Sequence, residues 1–106
     1  PSPFTFYEQN FGVITPYMAE ELSMWLDDGS FDEPEGVVLL AMEEALKNNV
    51  RRWSYVNNIL RDWRDKGLKT VKDVEAYKLE WQRQKQQKAK VQPISPQQDG
   101  PIYRRA

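Results

Sequence analysis

KNNVRRWSYVNNILRDWRDKGLKT, residues 47–70, carries the clearest helical pattern in the chain and marks the onset of all its positive charge. Taking about 100° per residue from Tyr55, the side chains of Tyr55, Val56, Ile59, Leu60 and Trp63 fall within an arc of about 140°. Asn57, Arg61 and Arg64 cluster on the opposite side, and Asn58, Asp62 and Asp65 occupy the rest. The stretch also has a start and a stop. Ser54 is placed to cap the helix, Gly67 to take the left-handed position after its last turn, and Leu68 to fold back as the hydrophobic contact. Such an apolar arc must be covered, so the flanking sequence has to supply the rest of a bundle.

Working outward, Thr70-Val71-Lys72-Asp73 fits a capping box in which hydroxyl and carboxylate satisfy each other's backbone donors. A further helix follows, with Val74, Tyr77 and Trp81 as its stripe. Beyond Trp81, QRQKQQKAK has no apolar face and reads as a solvated helical extension or frayed coil. From Val91 onward, Pro93, Pro96, Gly100 and Pro101 interrupt regular structure, leaving a tail that carries Arg104-Arg105. Upstream, a helix starts at Glu33-Pro34 and runs to about Asn48, with Val38, Ala41, Met42, Ala45 and Leu46 on its face and Asn48-Asn49 as its stop. Another opens with Thr15 as cap and Pro16 at its first position, presents Met18, Leu22, Trp25 and Leu26, and ends in the loop DDGSFD. A short first helix spans about Phe4 to Phe11 and closes at Gly12. No alternating stretch suggests a strand. The expectation is an all-α fold: a small compact bundle of about five helices over residues 1–81, followed by a flexible, disordered, polar and basic tail over 82–106.

With 106 residues the chain holds one domain at most, and nearly all of its four Trp, four Phe and five Tyr precede residue 82. It begins Pro-Ser-Pro, which reads as a fragment excised from a longer protein. There is no Cys and no His, which removes disulfides, thiol nucleophiles and imidazole bases. The adjacent carboxylates Glu20-Glu21, Asp27-Asp28 and Glu43-Glu44 point in different directions on their helices. The loop Asp27-Asp28-Gly29-Ser30-Phe31-Asp32 lacks the ligand spacing of a calcium loop, and no Gly-rich phosphate cradle occurs. These absences leave no expectation of an enzyme, a metal, a cofactor or a small-molecule substrate. The longest apolar run, Val37 to Met42, is too short for a membrane span, so no membrane partner is expected.

Charge is the stronger clue. Residues 1–46 hold ten acids and no base, a net −10, whereas residues 47–106 hold fifteen bases against six acids, a net +9. The total of −1 therefore conceals two oppositely charged halves. Arg51, Arg52, Arg61, Arg64, Lys66, Lys69 and Lys72 surround the helix at residues 54–66 and are candidates for phosphate contact, with Asn57 beside them. The competing interpretation is an ordinary solvated face in which Asp62 and Asp65 pair locally. Trp53 reads either as a hydrophobic staple or as a stacking platform for an unpaired base.

Tyr55-Val56-Asn57-Asn58-Ile59-Leu60, then Arg61-Asp62-Trp63 and Lys66-Gly67-Leu68-Lys69-Thr70, resemble the Tyr-x-x-x-Ile-Leu signature of the DnaD-like family, the C-terminal domain of bacterial and phage primosome proteins. Phe6-Tyr7-Glu8-Gln9-Asn10-Phe11-Gly12 and Thr15-Pro16 resemble that family's opening helix and turn, so the match covers about residues 4–80. The resemblance implies a small helical domain acting in replication initiation or restart in the bacterial cytoplasm, associated with the nucleoid. It implies DNA as partner, single-stranded in particular, together with other primosome or helicase-loading proteins and a winged-helix oligomerisation domain elsewhere in the full protein. DNA binding in the family is assigned to the signature helix and the segment after it, which carries over to Tyr55, Ile59 and Leu60 and the bases around them. The helical wheel turns much of that signature inward. The alternative is a protein-interaction adaptor whose acidic N-terminal helices dock a basic partner, such as a helicase loader or, by self-association, the basic half of a second copy.

Overall fold

The Thr15 cap read from the sequence acts as a side-chain acceptor, and the structure adds a second such cap at Ser2. The computed structural model describes residues 1–91, with side-chain surroundings through Gln86. Helix α1 is Pro3–Asn10 and starts on Ser2, whose hydroxyl accepts from the Phe4 amide. Helix α2 is Pro16–Asp27, with the Thr15 hydroxyl accepting from Met18. Helix α3 is Pro34–Lys47, α4 is Trp53–Asp65 and α5 is Val71–Val91. No strand occurs among the described residues.

Two Schellman turns bracket α4. After α3, Asn49 takes a positive φ of 59°, the Val50 amide donates to Ala45 and the Asn49 amide to Leu46. After α4, Gly67 takes a φ of 77°, Leu68 donates to the Trp63 carbonyl and Gly67 to that of Arg64. Each turn returns an apolar residue, Val50 and Leu68 respectively, to the core. The capping box before α5 closes as expected: Asp73 N–H donates to Thr70 Oγ1 at 3.0 Å, and Thr70 N–H to Asp73 Oδ2 at 3.2 Å.

The start of α4 corrects one expectation. Ser54 is not the cap: the helix begins at Trp53, and Arg52 occupies the cap position in extended backbone without a side-chain hydrogen bond. Burial of the Trp53 indole decides this. Its Nε1–H donates to Glu21 Oε1 at 2.6 Å, and its ring meets Tyr7 edge-on at 6.0 Å. Trp53 is therefore a core anchor and not a surface platform for a base.

α3 is the hub, packing against α1, α2, α4 and α5. Its Val37, Val38, Ala41, Met42 and Ala45 are fully buried, while Leu46, expected on that face, is only half-buried. Small residues on this helix let its neighbours approach closely, and at Gly36 an added Cβ would lie 2.6 Å from Val71 Cγ2 of α5. The loop before α3 is laced to the loop before α5. Asp32 N–H donates to the Lys69 carbonyl at 2.8 Å, and Val71 N–H to Glu33 Oε1 at 2.9 Å. Against this hub, α4 buries Val56, Ile59, Leu60 and Trp63 completely, each contributing about 1.5–3 kcal/mol of apolar transfer.

α5 continues past Trp81 as the solvated extension, with residues 82–86 all exposed. The division at 81/82 thus falls inside a continuous helix. Of the disordered tail expected over residues 82–106, residues 82–91 are helical, and residues 92–106 lie outside the described residues.

Candidate nucleic-acid interface

The basic side chains are set out by the turns that end α3 and α4. The Asn49 turn delivers Arg51 and Arg52 to the surface ahead of α4, where Arg51 Nη1 donates to Asn49 Oδ1 at 2.8 Å. The Gly67 turn delivers Lys66, Lys69 and Lys72, all exposed, at the other end. Thirteen residues of helix separate the two groups, roughly 20 Å at 1.5 Å per residue. Between them runs the exposed edge of α4: Ser54, Asn58, Arg61, Arg64 and Asp65.

Several of these charges are already engaged. Arg64 pairs with Asp65 at 3.1 Å and lies over the Trp25 ring at 5.4 Å. Lys66 bridges to Asp62 at 2.5 Å and stands 5.6 Å from the centre of the Tyr77 ring. The Lys69 ammonium donates to the Ser30 carbonyl at 3.3 Å. Arg61 reaches Asn58 Oδ1 at only 3.4 Å, a weak bond. The local pairing expected of Asp62 and Asp65 is therefore present, but it engages only Lys66 and Arg64, each with substantial side-chain exposure.

Four of the candidate residues are internal. Tyr55, Ile59 and Leu60 are buried, as the helical wheel indicates for much of the signature. Burial raises the Tyr55 phenol pKa, and the Glu44 carboxylate raises it further, with Asn48 and Arg52 opposing. Asn57 is a correction. Expected beside the arginines, it is only 7% exposed, and its Oδ1 accepts the Trp25 Nε1–H at 2.7 Å. The wheel placed Asn57 by angle alone and had no means of knowing that α2 covers that side of α4. A buried indole N–H needs an acceptor, and a buried Asn oxygen provides one.

The acids gather elsewhere. An open groove between the end of α2 and the start of α3 is lined by Leu26, Asp27, Glu33, Pro34, Glu35 and Val71. On α2, the exposed Tyr17 hydroxyl is held above its ordinary pKa chiefly by its hydrogen bond to Glu21, with Arg61 acting in the opposite direction. Arg61 therefore stands where the basic edge of α4 meets the acidic helix α2.

This helical arrangement accompanies a sequence match over most of the chain: residues 4–78 match the family described as replication initiation and membrane attachment. The chain belongs to that family. One curated relative, the replicative helicase loading/DNA remodeling protein DnaD of Bacillus subtilis (strain 168), is 28% identical over 83 residues, which is 77% of this chain. The aligned region is 35% of the relative's length, so the chain spans about a third of that protein. Together these matches make the chain a DnaD-like family member, as its signature helix and opening turn indicate. No solved structure matches it. Although the family description includes membrane attachment, no helix among the described residues is long and apolar enough to cross a membrane.

Proposed function

We propose that this chain is a DNA-binding module of a bacterial or phage replication-initiation protein, working in the cytoplasm at the nucleoid. It would hold single-stranded DNA by its phosphates on a surface made of Arg51 and Arg52 before α4, Arg61 and Arg64 along it, and Lys66, Lys69 and Lys72 after it. The observation that supports this most is the division of labour on α4. The apolar signature residues are spent on the core, and what their burial leaves at the surface is a line of bases at both ends and along the edge. Tyr55, Ile59, Leu60 and Asn57 then serve binding only by holding the helix in place.

Binding of this kind releases counterions and falls with salt. If three to five of the bases meet phosphates, the logarithm of the binding constant should fall with that of salt concentration at a slope of roughly −2 to −3.5 on single strands. The test is an anisotropy titration of this chain against labelled single-stranded and duplex DNA at two salt concentrations. It is repeated with Arg61→Ala/Arg64→Ala and with Arg51→Ala/Arg52→Ala. Both variants should keep their helical signal and lose affinity. Undiminished affinity in the folded variants would remove the site from α4.

A second reading, an adaptor that meets other replication proteins with little direct DNA contact, draws on the acids of α2 that stand beside Arg61. The two readings separate in the same titration, because an adaptor shows no salt-dependent DNA binding.

A further inference from the structure

With Trp53 buried, the aromatic ring left at the surface beside the basic edge of α4 comes from α2. Two hydrogen bonds tie α2 to α4 in the same order along both helices: Trp53 Nε1–H donates to Glu21, and Trp25 Nε1–H to Asn57. Arg64 lies over the Trp25 ring from the α4 side at 5.4 Å. The side of α2 that meets α4 is therefore marked by Glu21 and Trp25, about 40° and 80° around the helix from Tyr17. Tyr17 and Met24, within about 20° of each other, come next where that side reaches solvent, and they are 67% and 59% exposed. From α4, the Arg61 charge acts on the Tyr17 phenol. Arg61 is itself held only by the weak bond to Asn58.

We infer that Tyr17 is a platform for an unpaired nucleobase, so that a single strand lies along the seam between α2 and α4 with phosphates on Arg61 and Arg64 and a nucleobase against the Tyr17 ring. The inference rests on the proposed DNA-binding reading and adds what the strand's nucleobases touch. Charge selects both the occupant and its orientation. Glu20 and Asp27 are exposed about 60° and 80° beyond Tyr17 on the side away from α4, so α2 repels the phosphate backbone that α4 attracts. A nucleotide offers the two halves this seam distinguishes, an anionic phosphate and a neutral π-face that stacks on an aromatic ring whatever its sequence. The acid nearest the ring, Glu21, is occupied by the Trp53 indole and by the Tyr17 hydroxyl, which holds the outer end of the ring in place. In a duplex the nucleobases cover one another's faces, and Tyr17 has nothing to stack on. The ring therefore favours single strands, which phosphate contacts alone do not do.

The test compares three labelled ligands: an oligothymidylate, an abasic strand of the same length that keeps the phosphates and lacks the nucleobases, and a duplex. The wild-type chain should bind the oligothymidylate at least about fivefold more tightly than the abasic strand. Tyr17→Leu should lose about fivefold or more on the oligothymidylate and nothing on the other two, with an unchanged salt slope because no phosphate contact is removed. Tyr17→Phe keeps the ring and should keep the wild-type affinity. Position 17 is exposed, and circular dichroism checks that both variants fold. Unchanged oligothymidylate affinity in Tyr17→Leu overturns the inference. So does a wild-type chain that binds the abasic strand equally well, a Tyr17→Phe variant as weak as Tyr17→Leu, or an equal loss by Tyr17→Leu on all three ligands. In each of those cases, salt-dependent binding by the wild type leaves the proposed function standing. A wild-type chain that binds none of the three overturns both.

Discussion

Asn57 shows what a single residue's position can hide. By angle it stands with Arg61 and Arg64, yet it is buried against Trp25 as the acceptor of an indole proton. Replacing it with Leu would leave that N–H buried without a partner, at a cost of about 1–3 kcal/mol. Urea unfolding of Asn57→Leu should show that loss, while single-strand affinity measured well below its midpoint stays at the wild-type value. Asp73, by contrast, is legible from the sequence, because a capping box is local chemistry and needs no tertiary neighbour. Its carboxylate accepts the Lys69 amide at 2.9 Å and that of Thr70 at 3.2 Å, and these bonds, the Lys69 one foremost, hold its pKa below the ordinary 3.8. The unfolded chain therefore binds the proton more readily than the folded one. The stabilisation is complete above about pH 4 and disappears as pH falls through the lowered folded-state value. Asp73→Asn should flatten that acid limb of the stability profile.

Among the elements, α3 and α4 are both legible as helices, but the place of α3 as the hub is not. A narrow apolar arc against a charged edge gives a strong periodic pattern. The hub helix is buried over a broad face, and sequence spacing does not reveal how many neighbours an apolar residue will meet. Capping chemistry alone puts the start of α4 two residues late for a related reason: Ser54 has a suitable hydroxyl, but the cap position falls to Arg52 and Trp53, bonded to Glu21 on α2, is the first helical residue. Gly36 offers a direct test of the hub. In an exposed helix, Gly→Ala stabilises by about 1 kcal/mol. Here the new methyl would lie 2.6 Å from a methyl of Val71, a branched side chain with little freedom to retreat. Gly36→Ala should therefore destabilise by about 1–2 kcal/mol. Gly36→Ala/Val71→Ala should be less unstable than the two single losses added together, a coupling that a double-mutant cycle in urea would measure.

For the whole molecule, the separation of charge is readable from the sequence, but how far each base is free to act is not. Asp65 and Asp62 engage Arg64 and Lys66, Glu44 engages Lys78 at 2.8 Å, and Glu80 engages Arg83 at 3.3 Å. The sequence beyond Trp81 carries Arg83, Lys85, Lys88, Lys90, Arg104 and Arg105 against one acid, Asp99. None of the described side chains over 82–86 is buried, so that segment contributes charge and little packing. Removing residues 82–106 should leave the thermal midpoint of the bundle within a few degrees of the full chain, since surface losses away from the core are usually within about 0.5 kcal/mol. The same truncation should weaken single-strand binding and make its salt dependence shallower, by about 0.7 in slope for each phosphate that is no longer neutralised. Ending the chain instead after Val91 divides the effect between the helical extension, with four bases, and the sequence beyond it, with two. If the bases neutralise phosphates independently, most of the slope change belongs to the extension. A chain ending at Trp81 that binds as tightly as the full one, with the same slope, would assign the whole interface to α4 and its two flanking turns.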